Sequence, residues 1–302
     1  MSTQIRRLKI AVILTVVLSL TIVIMTPPSS VVGVTLRVGP EGFPLLQSDF
    51  SQVPQSVMED ATRLATELYG DYEETTNDFA NQLLVTYLEA VDEDVVVFFN
   101  SGGWGWNILE ASPQWVSIFT GIQSELADLG FTSILVNYQR AVNTSRGYID
   151  EAMSMISLYP SQAKDLASRV EFLTTHIENI KVIIVGESNG SVIADSAMRI
   201  LRDNLRAYSI QTGPPFWYKN IMLDRTLVLR SNEMIPDSFS QGDFLMMIAS
   251  SLETLFAFPQ TGDKSGKILL YFGAPGHDYY WQYPGVYSQI TSFLQENFGI
   301  KQ

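Results

Sequence analysis

The stretch that most constrains this chain runs from Lys181 to Met198 and reads KVIIVGESNGSVIADSAM. Its first part, Val182 to Val185, is apolar and β-branched, as is typical of a buried strand. A G-x-S-x-G turn follows, with Gly186, Ser188 and Gly190 at its fixed positions, and then a helical pattern. In such a strand–turn–helix arrangement the glycines allow the backbone to bend sharply, so that the hydroxyl of the central serine is exposed. The stretch therefore predicts a nucleophile elbow, with an ordinary glycine-rich turn as the alternative.

Apolar runs and helical patterns alternate beyond Asp94, which predicts an α/β fold with a mostly parallel sheet flanked by helices. The runs are 95–99, 133–138, 182–185, 207–211, 226–230 and 267–272. The helical segments are 112–129, 148–157, 161–178, 190–205, 243–257 and 285–297. Two earlier helical patterns, at 55–69 and 76–90, predict packing helices.

The N-terminus carries a segment typical of export or membrane anchoring. Residues 10–25 are apolar and uncharged, and they follow Arg6, Arg7 and Lys9. As a helix of about 24 Å the segment fits a signal peptide or a short signal anchor, and the lack of a nearby A-x-A-like cleavage site favours the anchor. Since the basic residues come first, we expect the rest of the chain to be extracytoplasmic, anchored to the membrane or, after cleavage, secreted.

The chain of 302 residues has the length of one domain with additional segments. We predict an N-terminal transmembrane or signal helix within 1–25 and a Pro-, Gly- and Ser-containing tether over 26–54. An α/β domain is expected over 55–302, in which 55–93 hold the packing helices.

Charge and composition exclude several classes of function. A net charge of −13 argues against nucleic acid as a partner. The chain has no cysteine and two histidines, so we expect no disulfide, no thiolate nucleophile and no metal site. The glycine-rich loop NSGGWGWN lacks the lysine of a P-loop and the G-x-G-x-x-G spacing, so no nucleotide cofactor is expected.

The two histidines differ in their position relative to the predicted strands. His277 comes five residues after the last run, so it can reach the carboxyl edge of the sheet, where Ser188 emerges. His176 precedes its strand and belongs to the opposite edge, on the order of 15 Å away at ~3.3 Å per residue. His277 is therefore the candidate base for Ser188, and His176 is expected to be structural.

An imidazole base needs a carboxylate that fixes its tautomer. The sequence after the run at 226–230 is SNEMIPDSFSQGD, which offers Glu233, Asp237 and Asp243. Glu233 comes soonest after the strand and is the first choice. Asp237 is the second choice, and Asp243 is expected to begin a helix.

A developing oxyanion needs preorganised donors. The backbone N–H of Asn189, directly after the nucleophile, is the first candidate. The second is expected from the glycine loop after the run at 95–99, at Gly102, Gly103 or Trp104, where missing side chains allow close approach to a ligand.

These residues resemble the α/β-hydrolase superfamily of serine hydrolases over about 94–298. The resemblance rests on the order of nucleophile Ser188, then acid Glu233 or Asp237, then His277, together with the glycine loop. The C-terminal part is similar to that of class 3 lipases, through residues of the acid and histidine loops: Asn232, Glu233, Ile235, Pro236, His277, Tyr280 and Trp281. The chain departs from that pattern in having Glu at 233 and 187 and Asn at 189.

The resemblance implies a serine hydrolase that cleaves carboxylic esters without a cofactor, and the N-terminal segment predicts that it is membrane-tethered and extracytoplasmic. The substrate is then a small-molecule or lipid ester, and aromatic residues near the site favour acyl or aromatic groups. These aromatic residues are Trp104, Trp106, Phe216, Trp217, Tyr279, Tyr280 and Trp281. A peptidase of the same fold and a non-catalytic binding protein of that fold are the alternatives.

Overall fold

The structure is a computed structural model. It describes residues 37–38, 49–70, 72–141, 145–220, 223–256 and 274–299. The apolar segment at 10–25, most of the tether and the predicted strand at 267–272 lie outside the described residues. The chain divides into two compact units, one of 1–34 with 244–274 and one of 35–243 with 275–302. The predicted division at 25 and 54 remains a prediction.

Among the described residues, the second unit contains a sheet of six strands that pair in parallel, which confirms the predicted α/β class. The strands are β1 (Arg37–Val38), β2 (Val95–Asn100), β3 (Ser133–Tyr138), β4 (Lys181–Glu187), β5 (Ala207–Thr212) and β6 (Thr226–Leu229). Their order across the sheet is β1-β3-β2-β4-β5-β6. The strand that carries Ser188 therefore lies between β2 and β5, near the middle of the sheet.

Nine α-helices lie in the described part of the chain. They are α1 (Gln55–Tyr69), α2 (Glu73–Ala90), α3 (Pro113–Asp128), α4 (Ser145–Ile156), α5 (Pro160–His176), α6 (Asn189–Ile200), α7 (Ser238–Gln241), α8 (Phe244–Phe256) and α9 (Pro284–Phe298). Helix α8 belongs to the first unit and the other eight to the second. Among the described residues, no helix combines the length and the apolar character needed to cross a bilayer.

The central strands are apolar on both faces because helices cover both sides of the sheet. On β2, Val96 and Phe98 join a core cluster with α1, α2, α5 and α6. Val95, Val97 and Phe99 join the opposite cluster with α3 and α9. This alternation explains why β2 reads as a continuous apolar run in the sequence.

The described elements match the predicted ones closely, with a few differences. Helix α6 ends at Ile200 rather than at 205. The Asn204 side chain accepts the backbone N–H of Arg206 and forms a turn, which leads the chain into β5. Strand β1, helix α7 and a 3-10 turn at Leu109–Ala111 were not predicted, because elements of two to four residues carry no periodicity.

Candidate active site

The elbow at Ser188 has the strained backbone that the G-x-S-x-G pattern predicts. Ser188 has φ 50° and ψ −115°, values that a residue with a side chain rarely adopts. Its N–H donates to the carbonyl of Thr212 at 2.9 Å, which joins the end of β4 to the end of β5. Helix α6 begins at the next residue, Asn189. The serine is therefore fixed at the carboxyl edge of the sheet.

The two glycines of the pattern are required by close backbone contacts. A Cβ on Gly186 would lie 2.6 Å from the carbonyl oxygen of Gly190, and one on Gly190 would lie 2.3 Å from that of Asn100. Neither atom belongs to a flexible side chain that could move aside. The start of α6 therefore packs directly on β4 and on the loop after β2, as only glycine permits.

His277 lies beside the strand end that supports the elbow. A Cβ on Gly213, the residue after Thr212, would lie 2.4 Å from Cε1 of His277. Gly276 is equally close to the acid loop, since a Cβ there would lie 2.3 Å from the carbonyl oxygen of Pro236. The structure thus brings the histidine loop, the acid loop and the end of β5 together at one edge.

Asp237 is the carboxylate that contacts His277. Nδ1 of the histidine lies 3.0 Å from Oδ2 and 3.1 Å from Oδ1 of Asp237. The Asp237 carboxylate is fully buried and also accepts the hydroxyl of Tyr279 at 2.6 Å. It caps α7 by accepting the N–H groups of Phe239 and Ser240. These donors hold the carboxylate in one orientation toward the imidazole.

The charge state of Asp237 sets the tautomer of the histidine. Burial alone raises the pKa of the Asp237 carboxyl, but the hydrogen bond and charge of His277, helped by Tyr279 and Ser240, lower the pKa overall. The carboxylate is therefore ionised near neutral pH and can only accept hydrogen bonds. We infer that Nδ1 of His277 carries the proton, which leaves Nε2 able to accept one.

Glu233, the first choice for the acid, lies elsewhere. Its side chain is exposed and covers Gly285 at the start of α9, and its Oε1 accepts the side-chain amide of Gln289 at 2.8 Å. Asn232 accepts the N–H groups of Met234 and Ile235, a turn that gives Glu233 a φ of 62° and turns it outward. The structure therefore brings the second choice, Asp237, to the histidine.

The glycine loop after β2 lies against the elbow. A Cβ on Gly102 would be 3.2 Å from Cβ of Ser188. The side-chain amide of Asn189 donates to the carbonyl of Gly103 at 3.3 Å. The N–H of Gly102, however, already donates to Oε2 of Glu187 at 3.1 Å. Of the loop residues predicted to bind the oxyanion, Gly102 therefore has its N–H directed at Glu187, while Gly103 contacts the side chain of Asn189 through its carbonyl.

Glu187 is a second carboxyl group at this edge, to which the sequence reasoning gave no role. It accepts the side-chain amide of Gln114 in addition to the N–H of Gly102. Burial raises the pKa of the Glu187 carboxyl, although Gly102, the charge of His277 and Gln114 act against this. Its position directly before Ser188 in the elbow was the available signal, because the residue before the central serine necessarily adjoins the serine.

The raised pKa of Glu187 predicts how stability depends on pH. The contribution of the neutral carboxyl is fully present below its ordinary pKa of 4.5 and is lost as the pH rises through the folded-state value. The free energy of unfolding of Glu187→Gln should therefore increase relative to that of the wild type as the pH rises above about 4.5. Denaturant titrations at several pH values measure this difference, and a constant difference between the two proteins would contradict it.

Other predicted residues have structural roles. His176 lies at the end of α5, and its Nε2 is 2.8 Å from Oδ2 of Asp60 on α1. Trp281 packs on α3, where a Cβ on Gly121 would overlap its ring. Within the described part of the chain, no group of three or more His, Cys, Asp or Glu side chains could hold a metal ion.

Comparison with known proteins does not identify a family for this chain. No protein-family model matches the chain, and no curated protein matches it. Among solved structures, a Trichoderma reesei cutinase in complex with a C11Y4 phosphonate inhibitor is similar, with a TM-score of 0.38 and 15% sequence identity. The match covers 82% of this chain and 93% of the cutinase chain. So distant a likeness identifies no family, and the similarity to class 3 lipases remains unsupported.

Proposed function

We propose that the protein is a serine hydrolase of the α/β-hydrolase type that cleaves carboxylic esters. One observation carries the proposal: a strained serine elbow lies at the same edge of a parallel sheet as His277, whose Nδ1 contacts the buried carboxylate of Asp237. A structural serine needs no such backbone strain, and a structural histidine needs no buried carboxylate on Nδ1. Together these features match the requirements of an activated nucleophile.

Each residue has a defined part in the proposed reaction. Ser188 Oγ attacks the ester carbonyl while Nε2 of His277 takes its proton, and Asp237 stabilises the imidazolium that forms. The N–H of Asn189 and an N–H of the glycine loop, from Gly103 or Trp104, hold the oxyanion. His277 then protonates the leaving alcohol, and water releases the acyl group from Ser188 in the reverse sequence.

The substrate class is inferred from aromatic rings that extend from His277 to the surface. The His277 ring lies 4.8 Å from that of Phe239, Phe239 lies 5.4 Å from Trp217, and Trp217 lies 4.9 Å from Phe216. Trp217 is 49% exposed, a large apolar surface beside the site. Because His277 is proposed to protonate the leaving alcohol, rings that continue from its imidazole can contact the alcohol part of a bound ester, so we propose esters of aromatic or otherwise apolar alcohols.

Replacing Trp217 tests the alcohol preference. Trp217→Ala should lower kcat/KM about 5- to 10-fold for phenyl esters, the value of one good aromatic contact, and leave methyl esters of the same acid nearly unchanged. Steady-state kinetics on matched phenyl and methyl esters measure the ratio. An equal loss for both esters would place Trp217 outside the alcohol site.

A fluorophosphonate probe tests the hydrolase proposal directly, because it forms a covalent bond only with an activated serine. The folded protein should be labelled at Ser188, as mapped by mass spectrometry of its peptides, and heat-denatured protein should not be. No labelling, or labelling at another serine, would contradict the proposal. If the protein is instead a non-catalytic binding protein of this fold, the folded protein should not be labelled.

A peptidase of the same fold shares this chemistry and is distinguished by substrate. Labelled protein that cleaves peptides and not esters would favour that alternative. The cellular location follows from the apolar segment at 10–25, by which we propose that the domain is tethered outside the cytoplasm, or secreted after cleavage. Membrane fractionation of the full chain tests the tether.

A further inference from the structure

We propose that Arg140, held by Glu151, is a positioning residue that fixes the glycine loop in the conformation needed to bind the oxyanion. This inference rests on the proposed hydrolase function and deepens it. Arg140 follows β3, is buried, and contacts the loop, Glu151 and Tyr159.

The guanidinium of Arg140 binds the loop at two carbonyl groups. One terminal nitrogen donates to the carbonyl of Ser101 at 2.5 Å and the other to the carbonyl of Gly103 at 2.8 Å. The backbone N–H of Arg140 donates to Gly105 at 3.0 Å. Three carbonyl groups within five residues of the loop are thus held by a single residue.

These bonds determine where the loop N–H groups point. In a planar trans peptide the C=O and N–H bonds point in opposite directions. Holding the carbonyls of Ser101 and Gly103 on the guanidinium therefore turns the N–H groups of Gly102 and Trp104 away from it. The N–H of Gly102 indeed reaches Glu187, the residue beside the nucleophile. Arg140 thereby orients the loop segment that is proposed to bind the oxyanion.

Gly105 in the loop leaves space for the side chain of Arg140. Gly105 has φ 81°, and a Cβ there would lie 2.3 Å from Cγ and 2.6 Å from Nε of Arg140. On the other side, Nε donates to Glu151 at 2.8 Å, and the same carboxylate oxygen accepts the hydroxyl of Tyr159 at 2.9 Å. The guanidinium also lies 5.5 Å from the centre of the Tyr159 ring. Glu151 and Tyr159 therefore fix the direction of the guanidinium.

The chain contains a matched control for this arrangement. Arg169 is paired with Asp165 at 2.7 Å, and the two side chains are 1% and 2% exposed, against 0% and 1% for Arg140 and Glu151. Arg169 also receives support from Gln82, and its guanidinium lies over the ring of Phe79. Gln82 and Phe79 both lie on α2, so replacing Arg169 measures the cost of breaking a buried ion pair that is tied to this helix.

The test compares Arg140→Lys with Arg169→Lys in the full chain. Lysine keeps the charge but cannot bind two carbonyls and a carboxylate in one plane. We expect Arg140→Lys to lower kcat for a phenyl ester about 10²-fold with KM within about twofold, since an oxyanion donor acts mainly in the transition state. The affinity for a trifluoromethyl ketone, which forms a tetrahedral adduct, should fall in parallel. Arg169→Lys should lower the melting temperature comparably and keep kcat within about threefold.

Equal losses of kcat in the two variants, or an unchanged kcat in Arg140→Lys while the wild type is active, would overturn the inference and leave the hydrolase proposal intact. A wild type with neither turnover nor labelling at Ser188 would overturn both. If Arg140→Lys does not fold, Glu151→Gln decides, because it keeps the guanidinium and removes its charged partner. It should lower kcat about 10-fold at constant KM, and a wild-type kcat would refute the role.

Discussion

Ser188→Ala should lower kcat for ester hydrolysis by about 10⁵- to 10⁶-fold and abolish labelling by a fluorophosphonate. Without the hydroxyl no acyl-enzyme forms, and only the oxyanion donors and binding contacts remain to accelerate attack by water. The substitution removes one oxygen and keeps the backbone hydrogen bonds of this position. These bonds run from the Ser188 N–H to the Thr212 carbonyl and from the Ser191 N–H to the Ser188 carbonyl. Steady-state kinetics and circular dichroism separate lost chemistry from lost folding.

Ser196→Ala is the matched control for this substitution. Ser196 lies on the same helix, α6, and its hydroxyl contacts that of Tyr218 at 3.3 Å, away from the elbow. Its variant should keep wild-type turnover within about twofold. Substantial turnover in Ser188→Ala with no activity in Ser196→Ala would mean that the elbow serine is not the nucleophile.

Asp237→Asn should lower kcat by about 10³- to 10⁴-fold. The amide can donate to Nδ1 of His277, which favours the tautomer with its proton on Nε2, where Ser188 needs an acceptor. The variant also loses a charged acceptor for the hydroxyls of Tyr279 and Ser240, at a cost of about 1–3 kcal/mol in stability. The kinetics are therefore to be measured at a temperature where urea titration shows the variant folded.

The loss of stability in Asp237→Asn should depend on pH. Because the pKa of Asp237 is lowered in the fold, its contribution is present above the ordinary value of 3.8 and is lost as the pH falls through the folded-state pKa. The difference in the free energy of unfolding between wild type and variant should thus shrink in acid. A difference that grows in acid would contradict the assigned charge state.

Glu233→Gln is the control for the choice of acid. The exposed Glu233 side chain contacts Gln289, and glutamine can still accept that hydrogen bond. We expect kcat within about twofold of the wild type. If Glu233→Gln instead reduced turnover more than Asp237→Asn, the pairing seen in the structure would not be the catalytic one.

The elbow could be read from the sequence because its requirements are local. Gly186, Ser188 and Gly190 lie within five residues, between an apolar run and a helical pattern. The backbone at Ser188 and the close contacts of both glycines follow from that local bend. Likewise, the strand runs predicted the α/β class, since burial on both faces imposes a composition visible along the chain.

The carboxylate that contacts His277 could not be read from the sequence, because the contact depends on how a loop folds back. Distance along the chain after β6 favoured Glu233, but the bridge between Ser231 and Pro236 closes a turn that places Glu233 at its exposed tip. Asp237 comes just after the turn. It lies beside His277 because backbone contacts, such as that of Gly276 with Pro236 and the hydrogen bond from the Ser238 N–H to the Pro275 carbonyl, join two loops that are far apart in sequence.

The sequence by itself predicted the serine elbow, the edge of the sheet at which it emerges and the histidine that can reach that edge, because strand order along a parallel α/β chain fixes which loops share an edge. Only the tertiary structure selected Asp237, assigned the N–H of Gly102 to Glu187 and placed Arg140 in contact with the glycine loop. These contacts join residues 37 to 85 positions apart, and the direction of a side chain across such a separation is set by packing rather than by any local pattern.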